Sequence, residues 1–193
     1  MKPNTLATAL LLAAALPVAA QAQSSPSNTW VEGSYVNVDG DADGHAVRGS
    51  FAFGQSGIYG LGAYSRIGVD DSPIRIDGWE AGLGYAHGLS DRTQLFAEAT
   101  RLNTEVIRPS APGAVDVFDA RGYRSSLGLR SALGERFEGL VKANYTTGER
   151  VLGHEFSGTV GGLFKLGQTW GVSGDVTVGE EAETYQLGLR ASF

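Results

Sequence analysis

The chain has no cysteine, one methionine and six prolines among its 193 residues. Without cysteine there is no disulfide framework and no acceptor for a lipoprotein anchor. Basic residues are in the minority. Fifteen Lys and Arg stand against 21 Asp and Glu, a net charge of −6, which argues against a nucleic-acid partner, since that partner requires a basic patch. Histidine is limited to His45, His87 and His154. Long apolar runs are scarce too: the one run, Leu6 to Ala15, falls short of the roughly 20 residues of a spanning helix.

That run has another use. Met1-Lys2 supplies a positive start, and Ala20-Gln21-Ala22 offers the small-x-small pattern of a cleavage site, so residues 1–22 are expected to be a signal peptide cut after Ala22. A short periplasmic N-terminal segment, 23–28, follows. Residues 29–193 are then a single domain. Removing Lys2 leaves 14 basic and 21 acidic residues, so the mature chain carries −7.

Glycine, by contrast, is abundant, with 28 residues, many at strand spacing such as Gly60 with Gly62 and Gly82 with Gly84. The last nine residues alternate strictly. Tyr185, Leu187, Leu189, Ala191 and Phe193 share one face, and Gln186, Gly188, Arg190 and Ser192 the other. A strand with one greasy and one polar neighbour has this pattern. Closed by an aromatic residue, it resembles the sorting signal of bacterial outer-membrane β-barrels, so Tyr185, Leu187, Leu189 and Phe193 are read as the C-terminal assembly signal.

The same alternation divides the chain into about ten strands: Thr29 to Val38, His45 to Gly54, Ile58 to Ile67, Arg75 to His87, Thr93 to Asn103, Val117 to Leu133, Phe137 to Thr147, His154 to Leu166, Trp170 to Val178 and Thr184 to Phe193. Short turns at Gly54–Gly57, Gly88–Arg92, Gly134–Arg136 and Gly167–Thr169 alternate with mostly longer, more acidic connections. Short turns at one end and longer loops at the other fit an all-β, antiparallel up-and-down transmembrane β-barrel. Ten strands is the reading, with eight as the alternative if two of them are loop excursions. Asn103 to Asp116, with Pro109 and Pro112, is expected to be the longest and most mobile outer loop.

Charge assigns the faces. Most strands carry an uncharged face, for example Val47, Phe51 and Phe53, or Trp79, Leu83 and Tyr85, and the third strand is assigned Tyr59, Leu61 and Ala63 on that side. The opposite face holds Glu32, Arg48, Arg66, Glu80, Glu98, Arg124, Arg130, Glu138, Lys142, Glu155, Lys165, Asp175 and Arg190. Apolar outside and charged inside inverts the soluble pattern. On the outward face aromatics recur eight residues apart, Phe137 with Tyr145, Phe156 with Phe164, and Tyr185 with Phe193. On a tilted strand that spacing rises roughly 20 Å, close to the apolar band of about 25 Å in such barrels.

Val31 to Asp39 (VEGSYVNVD), Asp77 to Tyr85 (DGWEAGLGY) and Gln168 to Asp175 (QTWGVSGD) resemble the Ax-type small outer-membrane barrels of xanthomonads and their relatives. Val106 to Asp116 matches nothing in that pattern. The resemblance implies a small outer-membrane protein, shed in vesicles, with a disputed role in host recognition and no established enzyme activity. No signalling function is carried over from it.

Three features bear on chemistry. His87 precedes Ser90 by three residues and His154 precedes Ser157 by three, and an odd spacing sends the two side chains to opposite faces, so neither pair makes a nucleophile with its base. Asp39-Gly40-Asp41-Ala42-Asp43-Gly44 matches the first half of a calcium loop, but its twelfth position is Ser50 instead of Glu. It reads as an acidic hairpin loop, with Asp39, Asp41 and Asp43 a weak divalent-cation candidate. The inward charges nearly balance and read as a paired lumen network, with Arg48, Arg66, Glu80, Glu98, Arg124, Arg130 and Lys142 as its expected members.

The expectation is a non-enzymatic barrel, without cofactor, that serves envelope integrity, adhesion or host contact. A narrow solute pore is the alternative, and a lipid-modifying barrel enzyme ranks below it. Expected partners are outer-membrane lipid and lipopolysaccharide, and the barrel assembly machinery during biogenesis.

Overall fold

The computed structural model describes residues 26–111, 114–149, 153–180 and 182–193. The signal peptide expected over 1–22, and residues 23–25 of the segment after it, lie outside the described residues. Among the described residues the chain forms ten strands: β1 Trp30–Val38, β2 Ala42–Ala52, β3 Ile58–Val69, β4 Arg75–Gly88, β5 Thr93–Ala111, β6 Ala114–Ala132, β7 Phe137–Gly148, β8 His154–Lys165, β9 Trp170–Val178 and β10 Glu183–Ser192. Each pairs antiparallel with its sequence neighbours. β10 then closes on β1, with Trp30 opposite Ser192 and Val38 opposite Thr184, so the fold is a closed up-and-down barrel of ten strands and not eight. Closure leaves no long free edge around the wall. The start of β1 and the end of β10 lie on one side, here the terminal end; the other is the loop end.

The wall is inverted relative to a soluble protein. Val47, Phe51, Leu83, Tyr123, Leu127, Val141, Phe156 and Leu187 are each at least 57% exposed on the outside, whereas Glu32, Glu138, Asp175 and Arg130 are at most 9% exposed within. Aliphatic and aromatic residues recur at every second position, so each strand gives the outside an apolar side. The expected outward aromatics follow this rule on β8 and β10, where Phe156, Phe164, Tyr185 and Phe193 are all exposed.

Two expectations fail. On β3 the faces are exchanged: Tyr59 is 1% exposed and points inward, while Ile58 and Tyr64 are exposed outside. Arg66, of the same parity as Tyr64, is therefore on the outer surface, and its guanidinium bonds Tyr64 Oη at 2.9 Å and Asp77 Oδ1 at 3.1 Å. It does not belong to the lumen network. Up to Ser65 this strand has apolar or glycine residues on both sides and no charge, so alternation left its orientation undetermined. The second failure is Asn103 to Asp116, which is not a loop. β5 runs on to Ala111 and β6 begins at Ala114, with Val106 opposite Phe118 and Ile107 opposite Val117. β-Branched and aromatic pairs across the ladder stabilise this projecting hairpin. Its one irregularity lies between Pro109 and Ala111.

Candidate functional site

The inward side chains divide the lumen into two halves. In the terminal half Tyr59 and Phe96 form an apolar cluster with Ala86. Two glycines make this possible. A Cβ on Gly84 would lie 2.2 Å from the Tyr59 ring, and one on Gly128 2.5 Å from the Phe96 ring, so each aromatic lies flat over the bare backbone of its register partner. Arg130 stacks on Phe96, its guanidinium carbon 5.3 Å from the ring centre.

Arg130 also explains how this end is closed. Its Nη1 donates to the Ser27 carbonyl at 3.1 Å and to Asn28 Oδ1 at 3.3 Å, and Gln94 Nε2 donates to the Pro26 carbonyl at 3.0 Å. Ser50 Oγ donates to the Asn28 carbonyl at 2.7 Å. Pro26 to Asn28, the described part of the N-terminal segment, is thus tied across the mouth of the barrel. Ser27 Oγ ties it in turn to the last residue, donating to the Phe193 carbonyl at 2.8 Å.

Charged side chains form the waist above this cluster. Glu32, with no exposed side-chain surface, accepts from Arg48 Nε at 2.9 Å on one oxygen and from Arg190 Nε at 2.8 Å on the other. Arg48 continues to Asp175 at 2.6 Å, and Arg190 lies over the Trp30 ring at 4.2 Å. Across the lumen Arg124 pairs with Glu80 at 2.8 Å and Lys142 with Glu98 at 3.8 Å, while Tyr59 Oη donates to Glu98 at 2.8 Å. Each acid named here has a basic partner. Buried charges are tolerated on that condition, and a general acid with an upward-shifted pKa would need the opposite arrangement.

The loop-end half is lined by small polar groups. Ser126 Oγ donates to Asn144 Oδ1 at 2.8 Å, Asn144 Nδ2 donates to Thr159 Oγ1 at 3.1 Å, and Thr159 and Thr177 hydroxyls lie 2.9 Å apart. The cavity here is about 310 Å³, against about 90 Å³ in the terminal half, and both are bounded by Arg48, Glu80, Arg124 and Lys142. At roughly 10–15 Å³ per water position the smaller space holds about six to nine molecules.

The structure thus brings Arg48, Glu80, Glu98, Arg124, Arg130 and Lys142 into the lumen and leaves Arg66 out. Arg130 bonds the Ser27 carbonyl and the Asn28 side chain and stacks on Phe96, with no acid in contact among the described residues. Glu32, Asp175 and Arg190 share the charged face read from the sequence, but the central place of Glu32 depends on register, as does the inward position of Tyr59. Of the proposed cation ligands, Asp39 closes a tight turn at φ 54° and its carboxylate accepts from the Glu183 backbone N–H at 2.7 Å. Among the described residues no group of three or more acids, histidines or cysteines is gathered closely enough to hold a metal ion, Asp39, Asp41 and Asp43 included. His154 bonds Thr147 Oγ1 at 3.1 Å on the outer surface, whereas Ser157 points inward to Asn144. Tyr185, Leu187, Leu189 and Phe193 form an exposed outward stripe.

No family model matches the chain, and no curated protein matches it in sequence. Solved structures do resemble it. The KdgM porin aligns at 12% identity over 85% of this chain and 99% of the porin, with a TM-score of 0.52, and the KdgM porin in complex with disordered oligogalacturonate gives 0.51 over the same shares. Neisserial surface protein A aligns at 13% identity over 86% of this chain and 98% of that one, with a TM-score of 0.44. At these identities the likeness is one of fold: this chain has the architecture of outer-membrane β-barrel proteins.

Proposed function

We propose that this protein is an integral outer-membrane barrel that acts through its wall and loop-end rim, serving envelope integrity, adhesion or host contact, and not through solute flow or catalysis. The observation that carries the reading is the obstructed lumen. Paired charges cross the waist, aromatic side chains fill the terminal half, and Pro26 to Asn28 lie over its mouth. The outward apolar band supports residence in a membrane, because so many exposed apolar side chains are unfavourable in water. Phe193 and its stripe would be read by the assembly machinery, and residues 1–22 would direct export. Host contact, which the Ax-type resemblance implies, would fall to the projecting β5–β6 hairpin.

A narrow pore is the second reading, favoured by the open loop-end cavity. Single-channel recording of refolded protein in planar bilayers separates the two. The obstructed barrel shows no steady conductance, and large, lasting openings would replace it with the pore. Membrane residence has its own check: unheated and boiled samples should migrate differently on a gel, and recovery in the soluble periplasmic fraction would reject it.

A further inference from the structure

The outer surface is not uniform. On β5 the outward parity of Leu95, Ala97 and Ala99 continues into Arg101, and on β6 that of Leu127 and Tyr123 continues into Arg121. Both arginines are exposed, and among the described residues neither guanidinium has a hydrogen bond, ion pair or ring contact. Arg101 is the register partner of Tyr123, and Arg121 that of Asn103, which makes the two arginines diagonal neighbours, Cα atoms roughly 7–8 Å apart. Trp79 on β4 is the register partner of Asn103 and 44% exposed beside them.

An unpaired arginine on the apolar outer face of a barrel is costly at the membrane midplane and costs little or nothing at the interface. It belongs where a membrane supplies an anion. The flanking strands add to the same sector: Asp77 lies between Arg66 and Arg75, at 3.1 and 3.3 Å, and one acid shared by two guanidinium groups leaves an excess positive charge. Glu105 and Asp119 share the register row of Arg66 and Asp77, one same-face step beyond Arg121, and Arg75 stands one step further, so Arg101 and Arg121 lie next to the apolar band and the carboxylates beyond them. On β7 to β10 and β1 the corresponding outward residues are Thr147, His154, Val176, Tyr185 and Asn37, without a basic side chain among the described residues apart from the imidazole.

We infer that Arg101 and Arg121, with Trp79 and Tyr123 beside them, bind the phosphorylated headgroup of an outer-leaflet lipid, lipid A being the phosphate carrier. The inference rests on the membrane reading above and gives it a specific ligand. Guanidinium groups bind phosphate oxygens in a two-pronged fork, and the aromatic rings beside them cover the first part of an acyl chain. Arg101 and Arg121 escaped the sequence reading because face assignment stopped at the uncharged part of each strand. The signal was there in their parity.

The test is titration of refolded, detergent-solubilised full-length mature barrel with diphosphorylated lipid A, with dephosphorylated lipid A and with inorganic phosphate, read by native mass spectrometry. Diphosphorylated lipid A should bind and the other two should not. The double variant Arg101→Ala/Arg121→Ala should bind at least roughly tenfold more weakly, Arg101→Lys/Arg121→Lys should keep most of the affinity, and Arg108→Ala on the projecting hairpin should be unchanged. Arg121→Gln, the milder variant, serves if the double variant does not refold. Equal binding by the dephosphorylated lipid or by the arginine variants overturns the site, and equal binding of inorganic phosphate overturns the lipid assignment. A chain that forms no heat-modifiable barrel in detergent removes the membrane reading and this inference together, an outcome distinct from a folded barrel indifferent to phosphate.

Discussion

The two halves of the lumen have the same wall but opposite contents. Around the loop-end cavity of about 310 Å³ the inward positions hold Asn144, Ser157, Thr159 and Thr177, whereas around the terminal cavity of about 90 Å³ they hold Tyr59, Phe96, Leu140 and Arg130. Strand number sets the bore, and side-chain volume decides whether the bore is open. Glycine adds a third control. Gly84 and Gly128 give the two aromatics a bed on the opposite strand, so large side chains fill the terminal half without spreading the wall. The chain's own N-terminal segment completes the closure at this end, held by Gln94, Ser50 and Arg130.

Breaking the boundary between the halves should have the largest effect. Glu32→Ala leaves Arg48 with Asp175 alone and Arg190 with no acid in contact, and loss of one partner from a buried ionic group destabilises by about 3–5 kcal/mol. Reversible urea unfolding in lipid vesicles measures this, and a variant within about 1 kcal/mol of the parent would show that water already reaches Glu32. Glu80→Ala should cost less, since both Glu80 and Arg124 are part-exposed toward the wider cavity.

Emptying the terminal half comes next. Tyr59→Ala removes the largest ring from the cluster and should destabilise by about 3 kcal/mol, of the order found for aromatic truncations in packed cores, and Tyr59→Phe by about 1 kcal/mol for the hydrogen bond to Glu98. Equal losses for the two would place the whole effect in the hydroxyl.

Arg130→Ala should lower stability by only about 1 kcal/mol, because its bonds are to the N-terminal segment and one ring. Its main effect is on closure: brief conductance events absent from the parent should appear in planar bilayers. A silent variant would assign closure to the aromatics alone. The smallest change is expected from Thr177→Val at the loop end, within about 0.5 kcal/mol, since water in the wider cavity can replace the bond from Thr159. A loss several times larger would mean that the polar ladder is as tightly packed as the aromatic cluster.

The sequence by itself determined the barrel, the apolar exterior and the presence of most lumen charges, and left ten strands against eight to be decided by closure of β10 on β1, because period-two alternation is local and each strand carries its own copy of it. Where a strand lacked a charge near its middle, as β3 does, that copy was illegible, and Tyr59 and Arg66 were placed on the wrong faces. The projecting hairpin was hidden for a related reason: prolines and acids between Asn103 and Asp116 resemble a loop, and only pairing of Val106 and Ile107 with Phe118 and Val117 makes them strands. Tertiary structure alone decided the contents of the lumen. Register places Gly84 opposite Tyr59 and Gly128 opposite Phe96, and closure of β10 on β1 brings Arg190 to Glu32 across 158 positions of sequence. Such contacts depend on distances between strands, which no single strand's alternation encodes.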